Sequence, residues 1–222
     1  MRRRVVCSWS GGKDCALALH RVLRDERFEV VGLVTTCDER TRRISAHGVG
    51  VDLAELQARA MGIPLETIVL SERRSNEEYS EKMIGYAQHR REDGVDAVVF
   101  GDIFLEDLRV WRENLLADAG LECIFPLWKG DSRALADEFV EAGFRALICC
   151  VREDRLDETA LGRTIDRAFL DGLPDGVDPC GENGEFHSFA YAGPIFAEAL
   201  RVRVGATRRE PGFSFCDLSV TR

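Results

Sequence analysis

The sequence lacks any uninterrupted apolar run near the roughly 18 residues that a membrane-spanning helix requires. Its basic start, residues 1–4, is not followed by an apolar stretch of signal-peptide length before Ser8 and Ser10. Its eight cysteines include no CxxC pair, which argues against a zinc site, and several lie in apolar runs such as residues 146–151. We therefore expect a cytoplasmic protein with free, buried thiols and no membrane span.

Lysine is also scarce, since the chain has only Lys13, Lys82 and Lys129, and the net charge is -9 with a pI near 5.1. Affinity for a phosphate backbone comes mainly from clustered Lys and Arg, so this balance argues against a general nucleic-acid partner. Hydrophobic residues make up 45% and charged residues 31%, which is typical of a folded globular chain. A lysine inside a glycine turn, Lys13, therefore stands out.

Short strand-like runs alternate with helical patterns through the first half of the chain. The strands are predicted at residues 4–9, 28–36, 65–70 and 97–101, and the helices at 14–24, 51–61, 76–92 and 105–119. Gly62 and Pro64 provide a clear stop for the second helix. Strands rich in Val, Ile, Leu and Phe that alternate with helices predict a doubly wound α/β fold, a parallel sheet with helices on both faces.

The rhythm changes around residues 126–130, where we place a boundary between domains 1–128 and 129–222. Beyond it the sequence predicts helices near 132–141 and 159–169 and a strand at 146–151. A glycine-rich stretch follows at 178–187, before strand-like segments close the chain. This half is predicted to be a smaller α+β domain that binds a substrate, and the two-domain size is compatible with a homodimer.

The turn Ser10-Gly11-Gly12 lies between the first strand and the first helix, which begins near Lys13. Amides at a helix start lack partners within the helix and carry about +0.5 charge of helix dipole, so they attract phosphate. The glycines allow close approach of the backbone, and Lys13 adds a point charge. The spacing fits neither GxxxxGK[ST] nor GxGxxG, and a plain βα turn is the alternative. We predict a cradle for the phosphates of ATP.

Two further polar positions follow strands. Gly101-Asp102 closes the fourth predicted strand, where ligands bind at a reversal of strand order, and Asp102 is predicted to hold Mg²⁺ or orient phosphate. A helix cap is the alternative for Asp102, and a place in the first helical turn is the alternative for Asp14 as a Mg²⁺ ligand. His47 follows the second strand, where a nucleotide contact and a surface loop are equally good interpretations.

The glycine-rich stretch groups Glu182, Glu185 and His187 in what we expect to be a tight, exposed loop for substrate recognition or proton transfer. A solvated hairpin turn is the alternative. Cys180 lacks an activating neighbour in the sequence and is interpreted as a structural thiol. Trp111 is predicted to lie in the core, and Arg112 is left open.

The ordered set of motifs resembles the two-domain PP-loop proteins of the diphthine-ammonia ligase group along nearly the whole chain. The motifs are Ser10 to Asp14, His47-Gly48-Val49, Gly101-Asp102-Ile103, Pro126-Leu127-Trp128 and Gly181 to Phe186. Two positions depart from the pattern: Cys15 stands where this loop usually has Ser, and His187-Ser188 replaces the usual continuation of the glycine-rich motif.

The resemblance implies an adenine nucleotide α-hydrolase-like (HUP) domain with a five-stranded parallel sheet, and a smaller domain whose glycine-rich segment faces the cleft. The implied activity is ATP-dependent amidation of diphthine, a modified histidine of a translation elongation factor, with ammonium as nitrogen donor and AMP and pyrophosphate as products. Predicted cofactor-binding residues are Ser8, Ser10, Gly11, Gly12, Lys13, Asp14, Cys15, His47, Gly101 and Asp102, with Asp14 and Asp102 as Mg²⁺ ligands. Predicted catalytic residues are Lys13, Glu182, Glu185 and His187.

Two other functions stay open at this point. A PP-loop enzyme with another acceptor, such as one that thiolates an RNA base, would favour a catalytic cysteine pair and a basic face, and the sequence shows neither. A nucleotide-binding regulatory module without catalysis is the second alternative, which Cys15 and the acidic composition favour mildly.

Overall fold

The computed structural model describes residues 1–45, 47–72 and 75–221. The strands of its first sheet are β1 (Arg3–Ser8), β2 (Phe28–Asp38), β3 (Leu65–Leu70), β4 (Ala97–Val99) and β5 (Glu122–Ile124). They lie in the order β3-β2-β1-β4-β5, and each neighbouring pair is parallel. The central residues of β1 and all of β4 are buried, as in a sheet that is covered on both faces. The predicted doubly wound α/β fold is confirmed.

Four helices connect these strands: α1 (Lys13–Leu23), α2 (Val51–Met61), α3 (Asn76–Glu92) and α4 (Glu106–Ala117). Their bounds agree with the predicted ones within two residues. Local chemistry explains the ends, since the Ser75 hydroxyl accepts a hydrogen bond from the Glu78 amide at the start of α3. Helix α2 ends at Gly62, which adopts the left-handed conformation with φ of 67°.

The strand order reverses between β1 and β4, because β1 pairs with β2 on one side and with β4 on the other. A crevice therefore opens at the carboxyl ends of these two strands. Gly101 follows β4 and lies against the first turn of α1, where an added Cβ atom would come within 2.9 Å of the Cys15 amide nitrogen. A glycine at this position thus keeps the two walls of the crevice close together.

The second half of the chain forms an antiparallel sheet in the order β7-β6-β9-β8 with two short helices. Its elements are α5 (Ser132–Glu141), β6 (Arg145–Arg152), α6 (Arg167–Asp171), β7 (Phe186–Ala192), β8 (Val202–Glu210) and β9 (Phe213–Val220). This arrangement confirms the predicted smaller α+β unit. The strand predicted at 146–151 is part of β6.

The helix predicted at residues 159–169 is wrong. This segment contains one turn of 3-10 helix at Glu158–Ala160, and α6 begins only at Arg167. Between them Gly162 is left-handed, with φ of 74°, and Thr164 forms a β-bridge with Leu147 on β6. Backbone pairing of this segment with β6 therefore overrides the helical pattern that the sequence suggested.

The two halves share one hydrophobic core, and α1 contacts β1 and β2 of the first sheet and β7 of the second. A buried glutamine, Gln57, joins them as well. Its side-chain oxygen accepts a hydrogen bond from Trp9 Nε1 at 2.9 Å. Its amide nitrogen donates to the Gly11 carbonyl at 2.9 Å and to the Ala190 carbonyl at 2.6 Å. Gln57 thus fixes the turn after β1 against β7.

The eight cysteines are all free thiols, as expected, and all but Cys123 are buried. Trp111 is half-buried, packs against the core between α3 and α4, and stacks on Tyr79 with ring centroids 5.4 Å apart. In the part of the chain that the structure describes, no helix combines the length and the apolarity that crossing a bilayer requires.

We expect Gln57→Leu to destabilise the fold by about 3 kcal/mol, because the change leaves the buried Trp9 indole N-H without its acceptor and removes one donor from the Gly11 and Ala190 carbonyls. The measurement is the free energy of unfolding from urea titration. Gln88→Leu, at an exposed position on α3, is the matched control and should stay within about 0.5 kcal/mol of the parent. Equal unfolding midpoints for the two variants would contradict the role of Gln57.

Candidate functional site

A cavity of about 320 Å³ occupies the crevice at the carboxyl ends of β1 and β4, and the segment that leads into β7 closes its other side. Most of the predicted site residues line it: Ser8, Ser10, Lys13, Asp14, Cys15, His47, Gly101, Asp102, Glu182 and His187. Gly11, Gly12 and Glu185 do not line it. Residues that lie far apart in the sequence are therefore brought to one place.

Lys13 lies at the base of this cavity with a side chain that is only 4% exposed. Its ammonium contacts both carboxylate oxygens of Asp14 at 2.7 Å and the carbonyl of Cys180. Burial alone would lower the pKa of Lys13, but the charges of Asp14, Cys180 and Glu182 outweigh it and raise that pKa. Lys13 is thus a fixed positive charge at the start of α1.

The two glycines of the turn serve packing between the two halves of the chain. Gly11 is left-handed, with φ of 82°, and its carbonyl accepts a hydrogen bond from the Ala190 amide at 2.8 Å. An added Cβ atom on Gly12 would come within 2.5 Å of His47 Cε1 and 3.2 Å of the Ser188 carbonyl. The close approach that the two glycines were predicted to allow is therefore an approach of their backbone to β7 and His47.

The start of α1 has no side-chain cap, because its N-cap residue is Gly12. Hydroxyl groups that line the cavity contact the adjacent amides instead. The Lys13 amide donates to Ser188 Oγ at 3.1 Å, and the Gly12 amide donates to Ser10 Oγ at 3.4 Å. The Ser188 hydroxyl accepts from an amide, so its own proton is available to a ligand in the cavity, whereas the Ser10 hydroxyl donates to Cys15 Sγ at 3.5 Å.

Asp102 stands opposite, beyond the end of β4, and pairs with Arg112 on α4, with Oδ2 and Nε 2.9 Å apart. Asp102 Oδ2 is buried and makes no hydrogen bond of acceptable geometry within the described residues. Arg112 also stacks on the Phe100 ring at 4.3 Å and lines the cavity, which answers the question left open for it. Among residues 1–45, 47–72 and 75–221, no three His, Cys, Asp or Glu side chains are grouped so as to hold a metal ion alone.

The glycine-rich segment before β7 is held by its own side chains. Asp178 Oδ1 accepts hydrogen bonds from the amides of Cys180, at 2.9 Å, and Glu182, at 3.1 Å. Glu185 Oε1 accepts from the Asp178 amide at 3.2 Å and from the Asn183 side chain at 3.0 Å. Glu185 is 2% exposed and is not among the residues that line the cavity, so the expected exposed position is wrong for this residue. Its contacts stabilise the loop.

Glu182 is the carboxylate of this loop that does reach the cavity. Its Oε1 accepts a hydrogen bond from the Ile103 amide at 2.7 Å, which ties the loop to the segment after β4. Burial raises the pKa of Glu182 to about 7, and the nearby charges of Asp14 and Asp102 add to the rise. Glu182 can therefore exchange a proton near neutral pH.

Two histidines, His47 and His187, lie side by side on the cavity wall with ring centroids 4.7 Å apart. His47 Nδ1 lies 3.0 Å from the Ser188 carbonyl, so Nδ1 carries the proton and Nε2 keeps its lone pair. Burial lowers the pKa of His47 to about 4 and that of His187 well below its usual value. Both rings are neutral at pH 7, and they form an uncharged wall.

Cys15 and Cys180 also line the cavity. Burial raises the pKa of both thiols, that of Cys180 to about 12. Cys15 Sγ donates to the Gly12 carbonyl at 3.1 Å, and Cys180 Sγ donates to the Ser132 carbonyl at 3.3 Å. Because the reactive thiolate form is scarce, these contacts agree with the structural thiol predicted at Cys180.

A second cavity of about 180 Å³ adjoins the first and shares Ser8, Ser10, Ser45 and Arg112 with it. It extends along the carboxyl end of β2 toward α3. The Thr35 hydroxyl is buried there without a hydrogen-bond partner among the described residues. The site residues predicted from the sequence did not include this wall, Gln57 or Ser188. The paired threonines 35 and 36 at the end of a buried apolar strand were the available signal for it.

We expect Gly12→Ala to destabilise the fold by roughly 1–3 kcal/mol and to weaken ATP binding, because the new methyl group would overlap His47. Gly85→Ala is the matched control. Gly85 lies exposed on α3 with no atom within 4 Å of an added Cβ, so this change should stabilise by roughly 0.5–1 kcal/mol. Thermal unfolding and ATP titration check both, and unfolding midpoints raised alike in the two variants would contradict the contact.

Comparisons with known proteins cover nearly the whole chain. The Diphthamide synthase N-terminal domain matches residues 3–123, and the Diphthamide synthase C-terminal domain matches residues 131–219. A diphthine--ammonia ligase of Danio rerio is 30% identical over 217 residues, which cover 89% of this chain and 85% of the relative. The diphthine--ammonia ligase of Homo sapiens is 25% identical over 221 residues, 90% of this chain and 82% of the relative.

Among solved structures, a U34-tRNA thiolase from Methanococcus maripaludis overlaps 63% of this chain and 58% of its own, with a TM-score of 0.38 and 15% identity. A likeness at that level carries no argument about fold or function. The family matches, by contrast, extend through both sheets and through the segments that line the cavity. The chain belongs to the diphthamide synthase family.

Proposed function

We propose that this protein is an AMP-forming ligase that uses ATP to amidate the carboxyl group of diphthine with ammonia. One observation carries the proposal: Lys13 and Asp14 after β1, Asp102 after β4 and Glu182 before β7 converge on one cavity at the reversal of strand order. The names of the relatives support the choice of acceptor and nitrogen donor. In the proposed division of labour, residues 1–128 bind ATP and residues 129–222 contribute the substrate side.

In the first step, a carboxylate oxygen of the acceptor attacks the α-phosphorus of ATP. A bond from this oxygen to phosphorus forms, the bond to the bridging oxygen breaks, and pyrophosphate leaves with the electron pair. Lys13 stabilises the charge that grows on the leaving group, since its ammonium is buried and fixed by Asp14 and the Cys180 carbonyl. The Ser188 hydroxyl, whose oxygen accepts from the Lys13 amide, donates its proton to a phosphate oxygen.

In the second step, ammonia attacks the acyl carbon of the adenylate, the bond to the phosphate oxygen breaks, and AMP leaves. The nitrogen must lose a proton as the amide forms, and ionised Glu182 accepts it. Its raised pKa of about 7 suits this role near neutral pH. The neutral rings of His47 and His187 lie beside it and add no positive charge that would repel an entering ammonium ion.

The donor set also fits Mg²⁺, which proteins commonly hold through one or two carboxylates together with substrate phosphates. Asp14 and Asp102 line the same cavity, and Asp102 Oδ2 lies 2.9 Å from Arg112 Nε but has no well-aligned hydrogen bond among the described residues. We infer that these two carboxylates hold the ion. When bound, it would supply charge neutralisation to the triphosphate.

We infer that the base of ATP occupies the adjoining cavity near Thr35 and Tyr79. The shared wall of Ser8, Ser10 and Arg112 gives a continuous path from the phosphate cradle, and the unpaired Thr35 hydroxyl offers a hydrogen bond. This inference moves the base away from His47, whose ring is engaged by the Ser188 carbonyl and by His187.

The alternative of thiolation by a cysteine pair has two candidate thiols, since Cys15 and Cys180 both line the cavity. Burial raises the pKa of each, and each donates its S-H to a carbonyl. Neither thiol is activated by a neighbouring cation strongly enough to overcome its burial. The amidation hypothesis therefore uses more of the charged groups that the cavity contains.

We expect the protein, supplied with Mg-ATP, ammonium and diphthine-bearing elongation factor, to form AMP and pyrophosphate in equal amounts and no ADP. Lys13→Met should lower kcat/KM for ATP by about 10²-fold or more, because a fixed charge on the leaving group is lost. Chromatographic separation of the nucleotides measures both effects.

Lys82→Met is the matched control, since Lys82 is exposed on α3 and its partners among the described residues are Glu78 on the same helix and the Val69 carbonyl of β3. Its kcat/KM should equal that of the parent. ADP as the main product would refute the ligase hypothesis. An unchanged rate for Lys13→Met would remove Lys13 from the phosphate cradle while leaving the reaction type intact.

Since the pKa of Glu182 is raised to about 7, the ionised base is present above pH 7 and is lost as the pH falls through that value. We expect kcat to fall on the acid side with an apparent pKa near 7. Glu182→Gln should lower kcat about 10²-fold and abolish that limb, while exposed Glu198→Gln leaves the profile intact. The measurement holds the concentration of free NH₃ constant at each pH, and an acid limb retained in Glu182→Gln would refute the assignment.

A further inference from the structure

A third cavity of about 460 Å³ lies beside the ATP cavity and shares one residue with it, His187. Two elements enclose it. The turn after β2 contributes Arg40, Thr41 and Arg43, and the hairpin of β8 and β9 contributes residues 208–215. The mechanism proposed above assigns no role to this cavity.

One cross-strand row of the second sheet passes from the ATP cavity into this space. His187 on β7 pairs with Cys150, Cys150 pairs with Phe215, and Phe215 pairs with Arg208. Side chains of directly paired residues lie on the same face of a sheet. The row therefore connects His187 at the ATP cavity with Phe215 and Arg208 in the third cavity.

Arginine is concentrated in this cavity. The protein carries a net charge of -9, yet three arginines and one carboxylate, Glu210, line this space. Arg43 is oriented by the Gly48 carbonyl at 2.6 Å and by Asp217 at 2.7 Å. Each arginine has a carboxylate partner, Glu72 for Arg40, Asp217 for Arg43 and Glu210 for Arg208. The lining therefore selects an anionic ligand through the guanidinium donors that these pairs leave over.

Arg208 has an unused hydrogen-bond donor. Its guanidinium stacks on the Phe215 ring at 4.4 Å and pairs with Glu210. Its Nε is buried and has no hydrogen-bond partner among the described residues. A buried donor without a partner is costly, and the planar guanidinium of arginine matches the oxygens of a carboxylate or a phosphate. Phe213 and Phe215 add an apolar wall that suits a carbon chain.

We propose, on the basis of the amidation function above, that this cavity binds the carboxylate-bearing side chain of the acceptor. Arg43 and Arg208 attract and orient the carboxylate, the two phenylalanines contact its carbon chain, and His187 lies where the carboxylate meets the nucleotide. The ligand class is thus a side chain that carries a carboxylate.

The test compares Arg208→Gln with Arg203→Gln, a change of the same type at an exposed position on the same strand outside the cavity. AMP formation is measured with diphthine-bearing elongation factor as acceptor, and the factor with unmodified histidine is the competitive inhibitor. We expect Arg208→Gln to raise KM for the acceptor at least tenfold. ATP affinity and the inhibition constant of the unmodified factor should stay within twofold, and Arg203→Gln should match the parent.

Arg40→Gln is the second variant, since Arg40 is largely exposed and its replacement does not threaten the fold. We expect it to raise KM for the acceptor without changing ATP affinity. Unchanged KM in both Arg208→Gln and Arg40→Gln would overturn the proposal. So would a parallel rise of KM and of the inhibition constant, because the arginines would then contact the protein surface instead of the carboxylate.

The parent enzyme separates this inference from the proposed function. If the parent forms no AMP in response to acceptor and ammonium, the ligase hypothesis itself fails. If the parent amidates the acceptor and the cavity variants behave like Arg203→Gln, only the acceptor cavity fails.

Discussion

The hydrogen bond from the Ala190 amide to the Gly11 carbonyl fixes the second sheet to the turn after β1, and the site depends on this contact. Gln57 binds the same Gly11 carbonyl and the Ala190 carbonyl, and it also accepts from Trp9. Because Gly11 is left-handed and Gly12 has no room for a Cβ atom, the glycines of the turn are required by this docking as much as by a ligand. The same few residues thus form the phosphate-binding turn and the contact between the two sheets.

Placing several ionisable groups in one buried cavity has an electrostatic cost that pairing reduces. Asp14 is paired with Lys13 and Asp102 with Arg112, whereas the Glu182 carboxylate accepts one hydrogen bond within the described part of the chain, from the Ile103 amide. The unpaired member is the one whose pKa burial raises to about 7. A buried carboxylate without a cationic partner is unfavourable in a purely structural role. The raised pKa that results provides a group that exchanges protons at neutral pH.

The sequence predicted the parts of the molecule that local chemistry decides. Helix ends at Gly62, the turn before Lys13 and the position of Asp102 after β4 follow from signals within a few residues, and the structure agrees. Glu185 was misjudged because a glycine-rich segment fits an exposed loop and a braced loop equally well. The contribution of Gln57 depends on contacts with residues 46 and 133 positions away, which no local pattern records.

Two neutral histidines line the ATP cavity, and one of them, His187, also lines the third cavity. A charged ring at this position would attract the acceptor carboxylate and the phosphates alike, and would hold them as a stable ion pair before reaction. Burial and the neighbouring Lys13 keep both rings uncharged, so positive charge lies on the phosphate side in Lys13 and on the far side in Arg43 and Arg208. The two anionic reactants therefore each have a cationic partner on their own side. They meet at a wall of neutral rings, which attracts neither of them.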